Sequence, residues 1–202
     1  QVGLAHHYVS LKPAVNWSPF DRVITKLLKS LVDDSLPKCL QDGVLHTPIK
    51  RVSIPQAKNT QDFFGLNYYM RQMVAFDLTK PGELFGRRFF RAGSTVSQNG
   101  FISNEPDGMF EAIKWARQFH MPILITENGI EDAQDALRPI YLAEHLHQVW
   151  KAVNFNFSIK GYFHWSLVDN CEWERGWTQR FGLWELDVET QARRKRPSAD
   201  FF

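Results

Sequence analysis

The chain has 202 residues and a mass of 23.5 kDa, the size of one large domain or of a piece of a bigger one. With 44% hydrophobic residues, 23% charged residues and a net charge of +2, it is neither disordered nor a general nucleic-acid binder. No apolar run reaches membrane-spanning length, and two cysteines build neither a disulfide framework nor a four-cysteine zinc site. Gln1 to His7 carry no secretory pattern, and Cys39 and Cys171 are expected to stay reduced, so a cytoplasmic location is expected.

In chain order, Val2 to Ala5 read as a first strand. Phe20, Val23, Ile24, Leu27, Leu28 and Leu31 follow helical spacing and form one continuous apolar stripe. Phe63 to Tyr69 is a second strand. From about Met70 to Asn104 the chain is rich in glycine and reads as one long irregular loop, the kind that is usually functional. A helix is expected from Pro106, with Phe110, Ile113 and Phe119 on its buried face. Met121 to Thr126 is a third strand, Leu142, Leu146, Val149 and Val153 mark a second long helix, and Ile159 to Leu167 is a fourth strand. Trp115 and Trp150 lie in helical patterns and are expected in the core. A hairpin is expected around Asp187 to Thr190, and a helix starts at Pro197 and Ser198. The basic run Arg193-Arg194-Lys195-Arg196 reads as a solvated turn, and removing it leaves 20 basic against 22 acidic residues.

Alternating strands and helices imply parallel strands joined by crossovers. Four such units amount to half of an eight-stranded (β/α) barrel, whose complete form takes about 250 residues. The whole chain, 1–202, reads as one partial barrel domain. It opens on a strand and closes at a helix start, so both ends read as truncated.

Sites in such barrels lie at the C-terminal ends of the strands. Those ends offer Asn67 and Tyr69, then Glu127 and Asn128, then the segment Trp165 to Trp173. A carboxylate, a phenol and several indoles are what a sugar site with a carboxylate nucleophile requires. Taken alone, Glu127-Asn128-Gly129 is also compatible with a polar strand end and a glycine turn. Glu144, His145 and His147 do not share one helical face, and His6-His7 reads as surface or site lining. No metal site and no cofactor are expected.

Three segments together resemble glycoside hydrolase family 1, the β-glucosidase family. Ile125-Thr126-Glu127-Asn128-Gly129 is similar to its nucleophile motif, and Asp62-Phe63-Phe64-Gly65-Leu66-Asn67-Tyr68-Tyr69 to its sixth barrel strand. Gly161 to Trp173 is similar to its eighth strand, with Arg180-Phe181-Gly182-Leu183 following at the family's spacing. The resemblance implies strands five to eight of a (β/α)8 TIM barrel. It also implies a retaining β-glycosidase working through a covalent glycosyl–enzyme intermediate. On this resemblance Glu127 is the nucleophile and Tyr69 the phenol that bonds it. Asn67, Trp165, Glu172, Trp173 and Phe181 bind the sugar, and Glu172 disfavours 6-phosphorylated substrates.

The chain also departs from the family pattern. Cys171 stands where an aromatic ring is common, which would leave a void if the site were buried. Phe101 replaces a Trp on the leaving-group side, and Trp177 replaces Tyr or Phe. Asn104-Glu105-Pro106 looks like the family's acid/base motif, but it lies only 22 residues before Glu127 and opens a helix. Glu105 is therefore expected to be a coincidence and the acid/base half to be absent. The expected partners are a β-glycoside and either the missing N-terminal half-barrel or a second copy of the chain. The alternative is a non-catalytic half-barrel that binds carbohydrate or self-associates.

Overall fold

The computed structural model of the chain describes residues 1–47 and 49–202. Strand β1 (Gly3–Pro13) is followed by helix α1 (Pro19–Lys29), a π-helical turn (Ser30–Asp34) and helix α2 (Ser35–Asp42). A small hairpin, β2 (Val44–His46) and β3 (Arg51–Ser53), leads to the long strand β4 (Phe63–Phe76), which turns back as β5 (Gly86–Phe89). Then come α3 (Pro106–Ala116), β6 (Ile123–Glu127), α4 (Arg138–Asn154) and β7 (Ile159–Tyr162). A second hairpin, β8 (Trp184–Leu186) and β9 (Arg193–Lys195), precedes the short α5 (Ser198–Phe201).

The main sheet has the order β1-β4-β6-β7, all parallel, with β5 antiparallel beside the far end of β4. This is the strand–helix alternation of half a (β/α)8 barrel, as the sequence predicts. Its core joins alternate sheet residues (Tyr8, Phe64, Leu66, Tyr68, Ile123, Ile125) to Met109, Ala112, Ile113 and Ala116 of α3 and to Val149 and Ala152 of α4. Gly108 lets α3 come this close, because a Cβ there would lie 1.9 Å from Tyr68 Oη. The opposite face of the sheet, the barrel's inner side, leaves Ala5 and His7 exposed.

Several expectations fail for identifiable reasons. Residues 70–104 are not one irregular loop. β4 continues to Phe76 because it pairs with β1 on one side, from Ser10↔Arg71 to Pro13↔Val74, and with β5 on the other. β1 is likewise longer than predicted, whereas β7 ends at Tyr162 and not Leu167. In α1, Ile24 and Leu28 are buried, but Phe20 and Val23 are exposed. Trp150 is 62% exposed and stacks on His147 rather than entering the core. The basic run is no solvated turn. Arg193 to Lys195 form β9, and Arg196 is buried against Asp169, donating at 3.0 and 2.9 Å. Cys171 is exposed, so no buried void replaces the missing ring.

Asp33, fully buried in the π-turn, accepts from the Val9 N–H at 3.2 Å, while its Oδ2 has no partner. Burial pushes its pKa up from 3.8 to about 7, against the opposing pull of the Val9 bond and Lys29. The native state therefore holds a proton that the unfolded chain releases near pH 4. The contribution is full below that pH and is lost as pH rises to about 7. Asp33→Asn keeps the Val9 bond and should flatten this slope. Urea unfolding should find the variant the more stable by up to about 4 kcal/mol above pH 7, with no such gain at pH 4.

Candidate active site

The ends of β4 and β6 meet in register, with Asn67 opposite Glu127. Tyr69 Oη donates to Glu127 Oε2 at 2.6 Å. Desolvation raises the Tyr69 pKa above its ordinary value, and the Glu127 charge raises it further, so the phenol keeps its proton and remains a donor. With Oε2 engaged, Oε1 is the carboxylate oxygen left free. Asn67 is buried, and its Oδ1 accepts from Thr126 Oγ1 at 2.5 Å. It braces the strand end and is not among the residues lining the cavity.

Asn128 also serves the frame. Its amide donates to Tyr68 O at 2.6 Å and to Tyr141 Oη at 2.8 Å, and its Oδ1 accepts from Tyr162 Oη at 2.8 Å. Tyr141 Oη in turn donates to Tyr69 O at 2.8 Å. This closed network fixes β4 against β6, and with them Tyr69 against Glu127. Gly129 is required because a Cβ would lie 1.9 Å from Trp165 O.

The loop after β7 supplies the other wall. Trp165 Nε1 and Asn170 Nδ2 both donate to Glu172 Oε1, at 3.2 and 2.9 Å. Phe181 is buried, its ring 6.3 Å from that of Tyr69 in an edge arrangement. Glu127, Tyr69, Trp165, Glu172, Trp173 and Phe181 thus line one cavity of about 320 Å³, together with His7, Met70, Phe101 and Ile102. Desolvation lowers the His7 pKa, with Glu127 pulling the other way. Trp173 stands at the rim, 91% exposed. Sequence reasoning placed His7 only loosely and missed Met70, Ile102 and the Tyr141 bracing. A strand-end position was the available signal for His7, whereas the helical pattern of α4 offered none for Tyr141.

Glu105 lies elsewhere. Its buried carboxylate pairs with Arg71 at 3.2 Å and Arg91 at 3.5 Å and accepts from Ser94 Oγ at 2.5 Å. It does not line the Glu127 cavity. Among the described residues no group of three or more His, Cys, Asp or Glu is placed to hold a metal. Among the described residues no helix is long and apolar enough to cross a membrane.

The model of glycosyl hydrolase family 1 matches residues 33–202. The chain belongs to glycosyl hydrolase family 1. Among its relatives, a β-galactosidase of Pyrococcus woesei is 36% identical over 146 residues, covering 65% of this chain and 29% of the relative. A β-galactosidase of Sulfolobus acidocaldarius is 38% identical over 153 residues, covering 70% and 30%. A β-glycosidase from Pyrococcus horikoshii superposes with a TM-score of 0.89 at 32% identity, covering 98% of this chain and 46% of that one. A family 1 β-glucosidase from Thermotoga maritima superposes with a TM-score of 0.86 at 26% identity, covering 97% and 48%. The chain thus spans about half the length of these solved relatives, and its aligned part about 30% of the curated ones.

Proposed function

We propose that the chain is the nucleophile-bearing half of a retaining β-glycosidase acting on unphosphorylated β-glycosides. The observation that carries this reading is the Tyr69–Glu127 pair at 2.6 Å, inside a cavity walled by Trp165 and Glu172. Glu127 Oε1 attacks the anomeric carbon while the bond to the leaving group breaks, and the leaving oxygen takes the electron pair. Water then attacks the same carbon, the ester C–O bond breaks to free the carboxylate, and the water's spare proton passes to the base of the complementary half or to solvent, completing two displacements. Tyr69 holds the carboxylate's orientation. Glu172 accepts from sugar hydroxyls remote from the anomeric carbon and repels a phosphate placed there. The acid/base belongs to a complementary half-barrel, because Glu105 is committed to Arg71.

General acid catalysis is worth about 10²–10⁴-fold. The chain should therefore release dinitrophenolate from a dinitrophenyl β-glucoside, which needs no acid. Alkyl β-glucosides should lag by at least about that factor beyond their intrinsic reactivity, until a complementary half is added. An alkyl glucoside cleaved without that deficit would place the acid within this chain.

A second reading has its own support. β1 and β7 are the outer strands of the sheet, and Leu4, Phe163 and Leu167 are 37%, 58% and 66% exposed. Open strand edges and apolar surface favour association, and two copies would supply eight parallel strands. Sedimentation that shows a dimer at micromolar concentration supports this pairing, whereas a monomer throughout removes it.

A further inference from the structure

The turn that brings Phe101 and Ile102 into the wall of the Glu127 cavity is organised around one hydroxyl. Ser97 Oγ accepts from the Phe101 N–H at 3.1 Å and from the Ile102 N–H at 2.9 Å. The Ser97 N–H donates to Ile102 O at 2.8 Å, which closes the turn. The Ser97 hydroxyl proton in turn goes to Glu131 Oε1. Ser97, Ile102 and Glu131 are all buried. Glu131 stands four residues after Glu127, just beyond the end of β6. A buried relay of Glu131 and Ser97 therefore joins the strand end that carries Glu127 to the wall formed by Phe101 and Ile102.

A second bond ties the same turn to the segment after β6, from the Ala133 N–H to Gln98 Oε1 at 3.1 Å, but it is exposed and water competes for it. The buried Glu131–Ser97 bond is the firmer tie. Burial raises the Glu131 pKa, opposed by the Ser97 bond and by the N–H groups of Phe101 and Asn99. Glu131 Oε2 is buried without a hydrogen-bond partner among the described residues. An acceptor left unmet in the interior destabilises the fold, so stability alone does not account for a carboxylate at this place. What its made bond does is fix Ser97, and Ser97 fixes the backbone of Phe101 and Ile102.

We propose that Glu131 is a positioning residue that acts through Ser97 to set Phe101 against the leaving group, which gives the site a preference for aromatic leaving groups. The proposal rests on the glycosidase reading, in which Phe101 lies on the leaving-group side. Phenyl and methyl 1-thio-β-glucosides, titrated into the chain by calorimetry, test it. The phenyl compound is expected to bind about fivefold tighter, the scale of one aromatic contact. Glu131→Ala should abolish that preference and leave the methyl compound's affinity within roughly twofold, which also reports an intact fold. Glu131→Gln, whose carbonyl still accepts from Ser97, should keep the preference. In a Phe101→Ala background, Glu131→Ala should have no further effect on it. Equal affinities in the wild type, no binding of either compound, or a Glu131→Ala variant that keeps the preference or weakens both ligands alike, would overturn the positioning role. Covalent labelling of Glu127 by a fluoroglucoside reports separately on the glycosidase reading. A preference that Glu131→Ala removes, without labelling, sinks the nucleophile and keeps the positioning role, and labelling without preference does the reverse.

Discussion

Replacing Asp169 by alanine is expected to cost about 3–5 kcal/mol of folding stability, because it strands a buried cation. The Asp169 side chain is wholly buried. It accepts from Arg196 at 3.0 and 2.9 Å, from the Gly182 N–H at 2.8 Å and from the Leu186 N–H at 3.3 Å. Arg180 completes the set at 3.7 Å. Without the carboxylate, Arg196 keeps only the Gly182 carbonyl, at 2.6 Å. The loss falls on the segment that carries Trp165, Glu172 and Phe181, so sugar binding should fail along with stability. Urea unfolding of the variant checks the first effect. A change within about 1 kcal/mol would mean that water or a rearranged Arg180 satisfies the pocket.

Glu127→Gln is expected to lower dinitrophenolate release from a dinitrophenyl β-glucoside by at least about 10⁴-fold, the scale seen when a nucleophile is removed. Glutamine has nearly the same shape and its carbonyl accepts the Tyr69 hydroxyl as the carboxylate does, so the site should stay assembled. What disappears is the charge and the free lone pair that forms the bond to the anomeric carbon. Stopped-flow absorbance at saturating substrate separates the two, since affinity should change little while the rate collapses. A variant that retains a tenth of the wild-type rate would move the nucleophile elsewhere.

The motifs at strand ends were legible because parallel strands deliver their last residues to one rim. Glu127, Tyr69, Trp165, Glu172, Trp173 and Phe181 do line one cavity. What stayed hidden depended on partners distant in sequence. Arg196 looks like one cation in a basic run, and only Asp169, 27 residues earlier, makes it a buried anchor. Residues 71–76 carry no clean strand signal on their own, and pairing with β1 and β5 decides them. Trp150 follows buried Val149 by one residue, a rotation of about 100° on a helix, which suffices to turn it to solvent. Asn67, expected at the sugar, has its Oδ1 bonded to Thr126, a contact that depends on the shifted pairing of β4 and β6. Tyr141 sits on the buried stripe of α4, where a phenol and a leucine are equivalent in periodicity, and its link to Tyr69 O is purely tertiary.

The most direct measurement is the intact mass of the chain after incubation with a 2-deoxy-2-fluoro-β-glucoside bearing a dinitrophenolate leaving group. Such a reagent forms the glycosyl ester without an acid and hydrolyses slowly, so it reports the nucleophile half alone. One fluoroglucosyl adduct per chain, mapped by peptide sequencing to Glu127 and absent in Glu127→Gln, is the predicted result. An unchanged mass, or an adduct on another residue, would contradict the assignment of Glu127 as the nucleophile.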